Sequence, residues 1–174
     1  MINLKLATPE IKHENLWYDF VGEAISNNEN KIFNYYRLKH DCDDYIEGLE
    51  YIQNFNKNLP PHLVPQSVYF LIDENEEKLL GIIKIRHSLN EAILKRGGHI
   101  GYAIVPSERR KGYATKLLGL ALKKCRELGI KKVLVTCDKN NIGSSKTITR
   151  NGGILENEYI EADGTVVQRF WIEN

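Results

Sequence analysis

Residues 99–129, HIGYAIVPSERRKGYATKLLGLALKKCRELG, constrain the fold more than any other stretch, because a buried strand, a basic turn and an amphipathic helix follow one another without a gap. In the strand, Ile100, Tyr102 and Ile104 share one face and Gly101, Ala103 and Val105 the other, so neither face is charged and the strand is central in its sheet. Past the turn, Ala114, Leu117, Leu118, Ala121, Leu122, Cys125 and Leu128 recur at three- and four-residue spacing, which predicts a helix with one apolar face. Gly129 supplies its stop. At the junction Arg109, Arg110 and Lys111 precede Gly112, where the first helical turn leaves backbone NH groups unpaired and the macrodipole is positive. Such a place holds an anion, and a phosphate suits it best.

The rest of the chain supplies one domain around that element. At 174 residues it is long enough to bury a core without disulfides or metals, and nothing divides residues 1–174 into two domains. The balance of 24 Lys and Arg against 23 Asp and Glu gives +1, so the basic turn is a local device and not part of a nucleic-acid-binding surface. Cys42, Cys125 and Cys137 are odd in number and form no C-x-x-C, as expected of reduced intracellular thiols. No signal peptide or transmembrane run is evident, so the expected location is cytoplasmic, away from any membrane.

Alternation of Ile2, Leu4 and Leu6 predicts a first strand, and Leu16, Trp17, Phe20, Val21, Ala24 and Ile25 a helix running to the polar stretch Ser26–Asn30. A second helix is expected to begin near Asp43 or Asp44, with Tyr45, Leu49, Ile52 and Phe55 inward. Two strands around the polar turn at 74–77 form a hairpin, residues 89–98 cross over to the central strand, and KVLVTC (132–137) is a further buried strand. A loop and short helix then end at Gly152-Gly153, and a second hairpin turns at Ala162-Asp163-Gly164. The class is therefore α+β.

With these elements in order, Arg109-Arg110-Lys111-Gly112-Tyr113-Ala114 resembles the Q/R-x-x-G-x-G/A signature of the GNAT acyl-CoA N-acyltransferases. The strand before it, the Pro106 turn, the helix and strand after it, and Asn141-x-x-Ser144 with Gly152 behind also match that family's order, over essentially the whole chain. The resemblance implies a GNAT fold, a central mixed, mostly antiparallel sheet of about seven strands flanked by about four helices. It also implies acetyl transfer from acetyl-CoA to a small-molecule amine or a protein amino group by direct attack on the thioester, without a metal, in a family where homodimers are common. Spacing excludes the competing phosphate binders, since neither G-x-x-x-x-G-K-[ST] nor G-x-G-x-x-G occurs here.

Carried over residue by residue, the backbone NH of Tyr102 would hold the thioester carbonyl, with Ile104 and Val105 beside the pantetheine arm. NH groups from Arg110 through Gly112, Tyr113 and Ala114 to Thr115 would take the pyrophosphate, helped by the charges of Arg109 and Lys111. Asn141 would contact the cofactor. The tyrosine with which many family members protonate the leaving thiolate is replaced by Ile148, so Ser144 becomes the candidate proton donor. Asn141 and Ser144 are equally suited to capping the helix, and the two roles can coexist. For the base, His99, His87 beside Arg86, Glu156, Glu158 and a water-mediated path remain open. A CoA-binding sensor that has lost turnover is the competing reading.

Overall fold

A computed structural model describes residues 3–29, 37–40, 42–57, 59–73 and 78–174. Ile2, Asn30, the aromatic residues Phe33, Tyr35 and Tyr36, and the turn at 74–77 lie outside them. The elements are strand β1 (Leu4–Ala7), helix α1 (Glu14–Ser26), α2 (Tyr45–Asn54), β2 (Gln66–Asp73), β3 (Lys78–Arg86), α3 (Glu91–Lys95), β4 (Ile100–Ile104), α4 (Tyr113–Glu127), β5 (Lys132–Asp138), α5 (Ile142–Arg150), β6 (Ile154–Ile160) and β7 (Val166–Glu173). Asp44 caps α2 by accepting from Glu47 N at 2.8 Å, in agreement with the expected start. The short α3 lies in the stretch expected to be a simple crossover. Its cap is Asn90, whose side chain accepts from Ile93 N.

Among the described residues, seven strands form two sheets, β1-β2-β3-β4 and β5-β7-β6, in which every pairing is antiparallel. The expected single sheet is thus divided between β4 and β5. Backbone pairing joins the halves over a short zone just before β4, through an isolated bridge between Gly98 and Val135 and a hydrogen bond from His99 N to Leu134 O at 2.7 Å, and one apolar core spans both sheets. Gly98 is required there. Its φ is +62°, and a Cβ would stand 2.4 Å from Leu134 O.

Each face of the four-stranded sheet buries a different partner. On one face Leu117, Leu118, Ala121, Leu122 and Cys125 of α4 pack with Ile83, Ile85, Ile100 and Ile104. On the other, Trp17, Phe20, Val21 and Ala24 of α1, with Tyr45 and Leu49 of α2, cover Val68, Phe70, Ile82 and Ala103. Burying each such large apolar side chain contributes about 2 kcal/mol before the entropy of ordering is counted. All three cysteines are buried free thiols. Among the described residues no helix is long and apolar enough to cross a membrane.

Candidate active site between the two sheets

The ladder between β3 and β4 sets which backbone groups of β4 are available. Arg86 N donates to His99 O and Val105 N donates to Leu80 O, and in an antiparallel pair such bonded residues alternate. Gly101 and Ala103 therefore exchange their bonds with β3. The NH groups of Tyr102 and Ile104 point to the opposite edge, toward the gap that opens beyond the Gly98 bridge to β5. The NH of Tyr102 is thus left open at that edge by the β3 ladder, whereas the Val105 NH is already used by Leu80.

Across this gap the two candidate catalytic residues meet. Tyr102 Oη and Ser144 Oγ, 42 residues apart in sequence, are 2.9 Å from one another. Burial pushes the Tyr102 phenol up to about 12, against the lowering effect of its hydrogen bonds with Ser144 and Thr147. It therefore stays protonated and can donate. The Cys137 thiol is raised to about 11, chiefly by burial. Asn141 is the helix cap: its side chain accepts from Ser144 N at 3.0 Å and so fixes the first turn of α5. The cap role thus falls to Asn141, leaving the Ser144 hydroxyl to Tyr102. Ile148, at the position where the resemblance implies a tyrosine, is fully buried in the core.

The basic turn is shaped by backbone conformation and by three carboxylates. Arg110 has φ +65° and Gly112 φ +88°, so successive NH groups curl inward at the start of α4, and Gly112 caps that helix without a side-chain acceptor for its first-turn NH groups. Tyr113, Ala114 and Thr115 follow on this uncapped turn. Of the expected cations, Arg109 is turned inward. Its Nε donates to Ile104 O at 3.1 Å and its two Nη atoms pair with Glu29. Lys111 pairs with Glu108 at 2.9 Å, and Lys78 with the same carboxylate at 2.7 Å, hydrogen bonds that hold Glu108 below the usual carboxylate range. Glu23 accepts from Ser107 N and Ser107 Oγ. Arg110 is exposed and has no ion pair among the described residues.

The proposed bases are occupied by the fold. Burial lowers His99 to about 4, with the Arg86 charge acting in the same direction, and its Nδ1 accepts from Leu134 N at 2.9 Å. The imidazole is therefore neutral and fastens β4 to β5. His87 bonds Ser67 Oγ through Nε2 at 2.8 Å. Glu156 pairs with Arg169, and Glu158 with Lys139 and Gln168, on the exposed strand β6.

The His99 contact has a pH consequence. With a folded value near 4 against an ordinary 6.5, the unfolded chain binds the extra proton first, so stability is full above about pH 6.5 and falls as pH drops toward 4. Urea unfolding of His99→Gln is expected to lose this segment of the pH dependence while keeping the rest. An unchanged slope between pH 6.5 and 4 would show that other groups drive it.

Two interactions escaped sequence reasoning. The Glu29–Arg109 pair joins residues 80 apart and carries no local signal. Lys84 had one: it occupies the same period-two row as Ile82 on an otherwise apolar inward face. Its side chain is half-buried and the ammonium donates to Arg37 O at 3.0 Å. Burial, aided by the Arg86 charge, pushes it down to about 8. Among the described residues no cluster of His, Cys, Asp or Glu is placed to hold a metal.

The family model for an acetyltransferase (GNAT) domain matches residues 9–154. A comparison with curated proteins finds no match. Similar solved structures include RimL, a ribosomal L7/L12 alpha-N-protein acetyltransferase in complex with coenzyme A (TM-score 0.69, 14% identity, 98% of this chain and 93% of that chain). A chimera of the spermidine N-acetyltransferase SpeG from Vibrio cholerae and hSSAT has TM-score 0.65 and 18% identity over 98% and 95%. The microcin C7 self immunity acetyltransferase MccE, in complex with acetyl-CoA and AMP, has TM-score 0.62 and 17% identity over 98% and 92%. These likenesses extend the same fold to the whole length, and with the family match over 146 of 174 residues the chain belongs to the GNAT acetyltransferase family, a family of acyltransferases.

Proposed function

We propose that residues 1–174 act as one catalytic domain, an acetyl-CoA-dependent N-acetyltransferase that transfers an acetyl group to an amine, either a small molecule or a protein amino group. The observation that carries this is the Tyr102–Ser144 hydrogen bond at the gap between the sheets, since it sets hydroxyl donors beside the edge where the Tyr102 NH is directed. Acetyl-CoA fits the chain's own groups. The NH groups of residues 110–115, with the Arg110 charge, suit a pyrophosphate. Arg109 serves as a strut between Ile104 O and Glu29, holding the turn against α1, and Lys111 supplies a charge shared with Glu108.

In this reading a neutral amine nitrogen attacks the thioester carbon, a C–N bond forms, and the carbonyl oxygen takes negative charge that the Tyr102 NH stabilises. The C–S bond then breaks. Ser144 Oγ–H donates to the leaving sulfur while Tyr102 Oη–H donates to Ser144, so the thiolate charge is spread over two hydroxyls. The proton lost by the amine completes the thiol, and the products are an amide and free CoA. Replacement of the usual tyrosine by Ile148 favours the CoA-sensor reading, and the Tyr102–Ser144 pair answers it by supplying another donor.

Thiol release from acetyl-CoA in the presence of an amine panel, with mass detection of the acetylated amine, tests the proposal. Amine-dependent release is expected; acetyl-CoA binding without release from any amine would leave the sensor. A cytoplasmic location, no role for nucleic acid or a membrane, and a homodimer formed through the exposed edge strand β6, with Ile154 and Ile160 outward, belong to the same proposal. The molar mass in solution checks the last point.

A further inference from the structure

On the sheet face covered by α1 and α2, one row crosses the strands as Val68, Lys84 and Gly101, and the next as Phe70, Ile82 and Ala103. The second row is apolar and buried beneath the helices. Lys84 therefore places an ammonium where its neighbours place hydrocarbon. An ammonium has three N–H donors, and the hydrogen bond Lys84 makes is with the carbonyl of Arg37. Among the described residues no carboxylate pairs with it. Its charged surroundings add to the burden: Arg86 follows two residues along the same strand, and on the segment facing it the Arg37 guanidinium is paired with Asp43. A half-buried cation with another cation two residues away and no carboxylate partner is unfavourable unless an anion is brought to it.

The position of Lys84 says what would bring that anion. Lys84 and Gly101 are a hydrogen-bonded cross-strand pair, which sets their Cα atoms about 5.5 Å apart, and Gly101 contributes no side chain to the row. The next residue of β4 is Tyr102, whose NH is directed at the edge assigned to the thioester carbonyl. A group held by Lys84 on this face therefore lies one residue along β4 from the Tyr102 NH. We propose that Lys84 binds an anionic substituent, a carboxylate or a phosphate, on the acceptor amine, so that the protein acetylates short amino acids or amino-phosphates in preference to polyamines. This rests on the acetyl-transfer reading of the site. A second ammonium on the acceptor would meet like charge at the same place.

Four matched amines test it: β-alanine, phosphoethanolamine, ethanolamine and 1,3-diaminopropane, each assayed for kcat/KM of thiol release. One of the two anionic amines is expected to exceed ethanolamine by about 10- to 100-fold, the range of a hydrogen bond to a charged group, with the diamine lowest. Which anion leads distinguishes carboxylate from phosphate. Lys84→Met is expected to bring the anionic and neutral amines to within about threefold of one another, and Lys84→Arg to keep much of the preference. A diamine preferred by the unmodified protein, or a preference unaltered in Lys84→Met, overturns the proposal. So does an equal loss of kcat on all four amines, which would make Lys84 a proton acceptor. Thermal shifts with CoA and the same four compounds separate the two layers. If no amine releases thiol, acetyl transfer fails as a reading, while stabilisation by an anionic amine that is lost in Lys84→Met still supports the anion site. No shift from either anion, together with no turnover, overturns it.

Discussion

Ser144→Ala is expected to lower kcat about 100-fold with the KM for acetyl-CoA nearly unchanged, because the hydrogen bond it removes forms with the sulfur only as the C–S bond breaks. Tyr102→Phe, which leaves Ser144 in place but removes the donor behind it, is expected to cost about 10-fold in kcat. The double variant should be no slower than Ser144→Ala by more than a factor of about two, since the two hydroxyls act in series. Stability is the control. Losing this hydrogen bond costs about 1 kcal/mol, so melting temperatures of the three variants should stay within a few degrees of the unmodified protein. Full turnover by Ser144→Ala would remove the pair from the mechanism and leave solvent as the acid.

Lys84→Met is expected to stabilise the fold by at most about 3 kcal/mol near pH 7, the upper figure for removing a half-buried cation whose methylene stem the methionine replaces. The pH dependence identifies the cause. With a folded value near 8 against 10.5 when unfolded, the unfolded chain holds more protons between these values, so the unmodified protein gains stability as pH rises through that window. The advantage of the variant should therefore be full below about pH 8 and nearly gone by pH 10.5. Denaturant unfolding at pH 7 and pH 10.5 measures it. Equal gains at both values would assign the effect to packing and not to charge. A more stable protein with a narrowed choice between amines is the trade-off expected of a functional group kept at a cost.

Much of the scaffold was legible because its signals are local. The apolar stripe of α4, the alternation of β1 and the Asp44 cap each depend on residues within a turn or two of one another, and each lies where expected. The five-residue α3 was missed although Asn90, with Ile93 three positions on, is a local cap signal, because so short a helix has no stripe to accompany it. Ser144 is a candidate donor only through the family resemblance, which places it behind Asn141. For Tyr102 the resemblance concerns only the backbone NH, and the structure adds its hydroxyl as the partner of that serine.

The central strand, the glycine-containing basic turn and the helix that follows are written locally in the sequence, because the periodicity of apolar residues and the turn chemistry act over a few positions, and the structure adds the left-handed φ of Gly112. Tertiary structure alone decided which charges are spent and which are held in reserve. Arg109 and Lys111 read as equivalent cations until Glu29 and Glu108 were placed against them, and Lys84 read as one lysine among many until α1 and α2 closed over its face of the sheet. Coulomb interaction and desolvation depend on distance and burial in space, and neither is written in the order of residues along the chain.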